Sequence, residues 1–143
     1  MGVEKVNAPI LLDTGALLWI GNGEPVSDGA RTILDETWRA GMAPRVSPMS
    51  AWELGLLESR GRLSLTSPAD RWWARACEMM RLSVCDLSPE ILFHASTLPG
   101  APPPDPADRI ILATARQLGL ILVTRDRQAL AYAEAGHIRA VAC

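Results

Sequence analysis

Apolar positions along this chain switch between two patterns. Residues 9 to 13 (PILLD) form a short continuous apolar run, as expected of a strand buried on both faces of a sheet. From Asp28 to Arg39 the spacing changes: Ile33, Leu34 and Trp38 recur at helical intervals, and Gly41 follows as a stop. Arg45 to Pro48 reads as a second short strand and Ser50 to Arg60 as a helix closed by Gly61. Ser67-Pro68 and Ser88-Pro89 each offer an N-cap hydroxyl before a proline at the first helical position, where its missing N–H costs nothing. Asp105-Pro106 repeats the device with a carboxylate and opens an apolar helix through Leu118, stopped by Gly119. LILVT, residues 120 to 124, is the clearest buried strand. A helix from Gln128 to Ala135 then ends at Gly136, and HIRAVAC reads as a last strand.

Strands alternating with helices predict an α/β fold with a parallel sheet covered on both faces. No repeat, low-complexity tract or linker divides the chain, so residues 1–143 read as a single domain, with LPGAPPPDPADR as an ordered loop. A chain of 143 residues buries a sufficient core without staples. Cys77, Cys85 and Cys143 are odd in number and lack CxxC or Cys/His spacing, which argues against both a disulfide framework and a zinc site. No apolar stretch approaches the roughly 20 residues that cross a bilayer. MGVEKVNAPI also lacks the basic-then-apolar pattern of an export signal, so the expectation is a cytoplasmic protein away from membranes. A net charge of −2 gives no overall electrostatic footprint for nucleic acid, although all but one of the fourteen basic residues are the phosphate-suited Arg.

Asp13-Thr14-Gly15 is the local signature of an aspartic protease. That chemistry needs two equivalent triplets in an all-β framework, because two carboxylates share one proton. Here there is one triplet among many helix signals, so the protease reading falls. In an open α/β sheet, ligands bind beyond the carboxyl ends of the strands. Four acids fall at such junctions: Asp13 ends the first strand, Glu53 follows the second, Asp108 lies in the first turn of the helix opened by Asp105, and Asp126 follows LILVT. Converging carboxylates raise one another's pKa unless a cation is bound, and hard oxygen ligands suit Mg²⁺ or Mn²⁺. Each acid also has a structural explanation. Ser50-Ala-Trp-Glu53 fits a capping box, Asp105 is a good N-cap, Asp108 suits a helix start, and Asp126 can cap the following helix.

LLDTGALLWI, VSPMSAWELGLLESRGRL and LPGAPPPDPADRIILATARQLGLILVTRD, in this order and spacing, resemble a PIN-domain ribonuclease of the VapC type, the toxin of bacterial toxin-antitoxin pairs. The resemblance implies a compact α/β/α fold with a central, mainly parallel sheet, and an acidic cluster that binds Mg²⁺ or Mn²⁺ and hydrolyses RNA phosphodiesters. Asp13, Glu53, Asp108 and Asp126 match the family's four acids, and Asp105 matches an additional one. Thr14 and Thr124 match hydroxyl residues beside the cluster, and Arg109 matches an Arg placed to touch the RNA backbone or neutralise the acids. The resemblance also implies a homodimer and a small antitoxin protein lying over the active-site groove. Trp72 and Trp73 offer that partner or a second copy a docking surface, with core packing as the competing role. Pro103, Ala107 and Leu57 depart from the family's His, bulky aromatic and Lys. These departures keep a second reading open, a degenerate PIN domain acting as an interaction module. A receiver-type phosphoacceptor lacks its lysine near the last strand, since the sole Lys is Lys5, and a dehalogenase-type phosphatase would need Asp where Gly15 stands.

Overall fold

Ile10–Leu12, Arg45–Val46, Ser83–Val84, Ile121–Thr124 and Arg139–Ala142 are β1 to β5 of one sheet, parallel throughout and ordered β3-β2-β1-β4-β5. The structure, a computed structural model, describes residues 9–143. The stretch whose composition argues against an export signal lies almost wholly outside the described residues. Leu11 and Leu12 pair with Arg45 and Val46 on one side of β1, and Ile10 to Leu12 pair with Ile121 to Val123 on the other. After β1 the chain builds outward through β2 and β3, then returns to the opposite side for β4 and β5. The direction of winding therefore reverses between β1 and β4, which opens a crevice at their carboxyl ends.

Seven helices cover the sheet among the described residues: α1 (Thr14–Gly21), α2 (Asp28–Arg39), α3 (Pro48–Ser59), α4 (Ala69–Met79), α5 (Pro89–Ser96), α6 (Pro106–Leu118) and α7 (Arg127–Glu134). The two-residue period of β1 divides them into layers. Ile10 and Leu12 point into one core with Leu17, Ile33, Leu34, Leu54, Trp72 and Ala76 from α1 to α4. Leu11 points into the other with Ile91, Ile111, Leu112, Ala129 and Tyr132 from α5 to α7. All three β1 side chains are fully buried, each contributing about 1.5–3 kcal/mol of hydrophobic stabilisation. No helix among the described residues is long and apolar enough to cross a membrane.

Most predicted elements occur where the pattern puts them, and the exceptions have physical causes. α1 is an unpredicted helix because Thr14–Gly21 is apolar almost all round and shows no polar face. β3 is an exposed two-residue edge strand, too short to carry a pattern. α3 starts at Pro48 with Ser47 as its cap, the Ser47 hydroxyl accepting from the Met49 N–H at 3.0 Å. Ser50 therefore lies inside the helix and the expected capping box does not form. α4 is capped by Pro68 without a side-chain bond. The Ala69 N–H goes to Glu58 Oε2 at 3.0 Å, and the hydroxyl of Ser67 is buried without a partner. Trp72 is buried in the first core, donating from Nε1 to Asn22 Oδ1 at 3.2 Å, so its role is core packing, while the half-buried Trp73 packs against that core. All three cysteines are free thiols.

Candidate active site

β1 ends at Leu12, and the chain turns at once into α1, with Asp13 extended as the helix cap. Asp13 Oδ1 accepts from the Ala16 N–H at 2.8 Å, and Oδ2 accepts from the Thr124 hydroxyl at the end of the neighbouring β4. That hydroxyl oxygen also accepts from the Asp126 N–H at 3.0 Å, while Asp126 Oδ2 caps α7 through the Ala129 N–H at 3.0 Å. Thr124 thus couples the two strand-end acids across the switch crevice.

Glu53 arrives from α3. Its Oε1 accepts from the Thr14 hydroxyl, whose oxygen lies 2.8 Å from the fully buried Ser50 Oγ. A threonine hydroxyl has one hydrogen, so Thr14 donates to Glu53 and accepts from Ser50. From α6, Asp105 caps the helix through the Asp108 N–H at 3.0 Å. The carboxylate oxygens of Glu53, Asp105 and Asp108 all come within 4.8 Å of one another. Asp13, Glu53, Asp108 and Asp126 line a single pocket of about 420 Å³, with Leu112 and Leu122 among its apolar lining. All five acids named from the sequence therefore gather at one sheet edge. Capping and clustering do not compete here, since a carboxylate offers about four acceptor positions and a cap bond uses one.

Protonation reflects the crowding. Desolvation is the first cause at each of three acids, and neighbouring carboxylates push in the same direction. Asp108 is pushed up to about 6 by burial and then by Asp105, Glu53, Asp126 and Asp13. Glu53 is raised by burial against the opposing Thr14 bond, with Asp105 and Asp13 adding to the rise. Asp13 is raised by burial despite its Thr124 and Ala16 bonds, with Asp126 adding.

Arg109 does not meet these acids through its Nε, which donates to Ala95 O at 2.9 Å and ties α6 to α5. The cation that does line the pocket is Arg125, which the sequence reading passed over. Its guanidinium carbon sits 3.9 Å from the centre of the Trp19 ring, and one of its nitrogens donates to Pro25 O at 2.7 Å. Its place between Thr124 and Asp126, at a strand end, was the available signal. Leu57 also lines the pocket, whereas Pro103 and Ala107 are buried outside its lining. An all-carboxylate donor set, mutually repelling and without His or Cys in the lining, fits a hard divalent cation.

Comparison with known proteins supplies context for this geometry. The family model described as PIN domain matches residues 10–135. Ribonuclease VapC22 of Mycobacterium tuberculosis is 37% identical over 83 residues, 58% of this chain and 62% of that protein, so the match spans less than two thirds of the curated relative. Among solved structures, a chain of Rickettsia felis VapBC2 bound to a DNA fragment from its promoter superposes with a TM-score of 0.65 at 17% identity, covering 93% of this chain and 98% of that one. A domain of a functionally unknown protein from Methanocaldococcus jannaschii superposes at 0.53 with 16% identity, covering 96% and 91%. At these identities the superpositions establish the fold alone.

Proposed function

The chain belongs to the PIN domain family, and from that premise we propose that it is a divalent-metal-dependent endoribonuclease, the toxin of a toxin-antitoxin pair, acting in the cytoplasm as a single domain. The observation that carries the reading is the convergence of Asp13, Glu53, Asp105, Asp108 and Asp126 at the β1/β4 crevice, brought there from the ends of β1 and β4, from α3 and from the start of α6. The likeness to VapC22, a ribonuclease by name, supports RNA as the substrate.

Glu53, Asp105 and Asp108 would hold Mg²⁺ or Mn²⁺, with Asp13 and Asp126 completing the acidic wall. A bound divalent cation supplies Lewis-acid polarisation of the phosphate and makes water a better nucleophile at neutral pH. The protein's own groups position that chemistry. Thr14 and Ser50 fix the Glu53 carboxylate, and Thr124 fixes Asp13 against Asp126. A carboxylate of the cluster accepts the proton that the attacking water gives up. Arg125, braced on Trp19, offers its remaining N–H groups to a phosphate oxygen. The partners are RNA, a second copy of the chain and a small antitoxin protein, the last by analogy with the VapBC2 complex.

The deciding experiment incubates purified protein with RNA and Mn²⁺ or Mg²⁺, with and without EDTA, beside Asp13→Asn and Asp108→Asn. Cleavage by the parent alone, abolished by chelation, is the expected result. Equal cleavage by all three proteins would mark a contaminant and overturn the reading.

A further inference from the structure

At the opposite edge of the sheet from the acids, we infer a second site, one that binds a phosphate oxyanion through Arg116 and Arg139. A concave pocket of about 500 Å³ opens where the turn from α6 to β4 meets the turn from α7 to β5. Its polar lining is His94, Arg116, Gln117, His137 and Arg139, and no Asp or Glu contributes to it. Both histidines of the chain are therefore here, beside two of its arginines. The pocket shares no residue with the acidic one. The four residues of β4 separate the two edges by about 13 Å at about 3.3 Å per residue.

The two arginines are crossed. Arg116, in the last turn of α6, donates to His137 O at 2.6 Å, and Arg139, the first residue of β5, donates to Gly119 O at 2.8 Å. Each tether uses one of five guanidinium N–H groups, so it orients the fork and leaves further donors. Pre-ordering two long side chains removes much of the entropy cost that an anion otherwise meets on binding. Two permanent cations sharing a pocket with no carboxylate in its lining repel one another, and an oxyanion between them converts that repulsion into attraction. Planar forks of this kind match phosphate oxygens in pairs.

Two further observations favour a ligand over a purely structural staple. His94, which lines the pocket, keeps its Nε2 buried with no hydrogen-bond partner, an unpaired polar group that a purely structural arrangement would satisfy. Both turns present glycine to the pocket, Gly119 and Gly136, with nothing within 4 Å of where a Cβ would stand. The backbone there is open to close approach. The volume lies within the range of about 300–1,000 Å³ typical of small-ligand sites. A phosphate held here lies beyond reach of the acidic pocket. It belongs either to a distal nucleotide of an RNA chain or to a free phosphate or mononucleotide.

The test is an amide chemical-shift titration of the whole protein in EDTA, so that it reads binding independently of any cleavage. The probes are inorganic phosphate, 5′-AMP and a short single-stranded RNA. Phosphate is expected to shift Gln117, Gly119, His137 and Arg139, with saturation at about millimolar concentration. RNA shifting the same residues at lower concentration than 5′-AMP assigns the site to an RNA chain, and the reverse order assigns it to a free nucleotide. Arg116→Gln with Arg139→Gln removes the response. Because that pair also removes both backbone tethers, Gln117→Glu serves as a second variant: it keeps them, adds a negative charge and weakens phosphate binding about tenfold. Absence of shifts with all three probes, or shifts that persist unchanged in Gln117→Glu, would overturn the site while leaving the nuclease reading untouched.

Discussion

The hydroxyl of Thr14, the first residue of α1, donates to Oε1 of Glu53 in α3, and this bond carries a carboxylate from beyond the second strand to the acids at the end of the first. Ser50 stands behind Thr14, so the order of donation is Ser50 to Thr14 to Glu53. A helix start that shows no amphipathic signal is thus the support on which a site carboxylate rests.

Thr14→Val tests that support, because it keeps shape and removes the hydroxyl. The buried Ser50 hydroxyl and Glu53 Oε1 each lose a partner, so stability falls by about 1–3 kcal/mol. RNA cleavage falls about 10- to 100-fold through misplacement of Glu53. Thr14→Ser restores most of both. Thermal unfolding and single-turnover cleavage measure the two effects, and a fully active Thr14→Val would show that Glu53 needs no positioning.

Asp108 makes the metal-free protein sensitive to pH. Its folded pKa, about 6, lies above the unfolded value near 3.8, so the folded state binds more protons between those values. The associated stability is fully present below pH 3.8 and is lost as pH rises through 6. In EDTA, Asp108→Asn should therefore be more stable than the parent at pH 7.5 by about 1–2 kcal/mol, solvent on its open side screening the rest of the shift, and the gain should vanish below pH 4. Urea unfolding at the two pH values checks this.

Mn²⁺ should raise the unfolding temperature of the parent at pH 7.5 more than at pH 5, since ionised carboxylates bind the ion and protonated ones do not. Asp108→Asn and Glu53→Gln should each abolish most of the rise. A scan in which Mg²⁺ and Mn²⁺ leave every variant unmoved would count against a metal centre.

Arg125→Ala removes the cation lining the acidic pocket together with its stacking on Trp19. The expected kinetic signature is a KM for RNA raised about tenfold, with kcat changed less, as for a lost phosphate contact. The salt dependence of RNA binding should become shallower. An unchanged KM would assign Arg125 to clasping Pro25 alone.

Gly21→Ala would stabilise an isolated helix, yet here it should destabilise by about 1–3 kcal/mol. A Cβ at Gly21 would lie 2.8 and 2.9 Å from ring carbons of Trp72, which is buried against α1. Chemical denaturation reads the sign directly.

The sequence by itself determined the alternation of strands and helices, the limits of α2, the Asp105 cap and Gly119 stop of α6, and the strand-end places of Asp13 and Asp126. Those features are local: a buried strand needs a continuous apolar run, and a helix end needs a partner for its orphan N–H groups within three residues. The sequence reading places the start of α3 at Ser50 instead of Pro48, although Ser47-Pro48 repeats the Ser88-Pro89 device. Tertiary structure decided what depends on neighbours distant in the chain. It released Glu53 from a capping role to Thr14, brought Asp105 beside Glu53 and Asp108, turned Arg109 toward Ala95, and placed Arg125 over Trp19. Capping is settled within one turn of backbone. Which carboxylates and cations share a pocket is settled only when the order of the strands brings β1 beside β4.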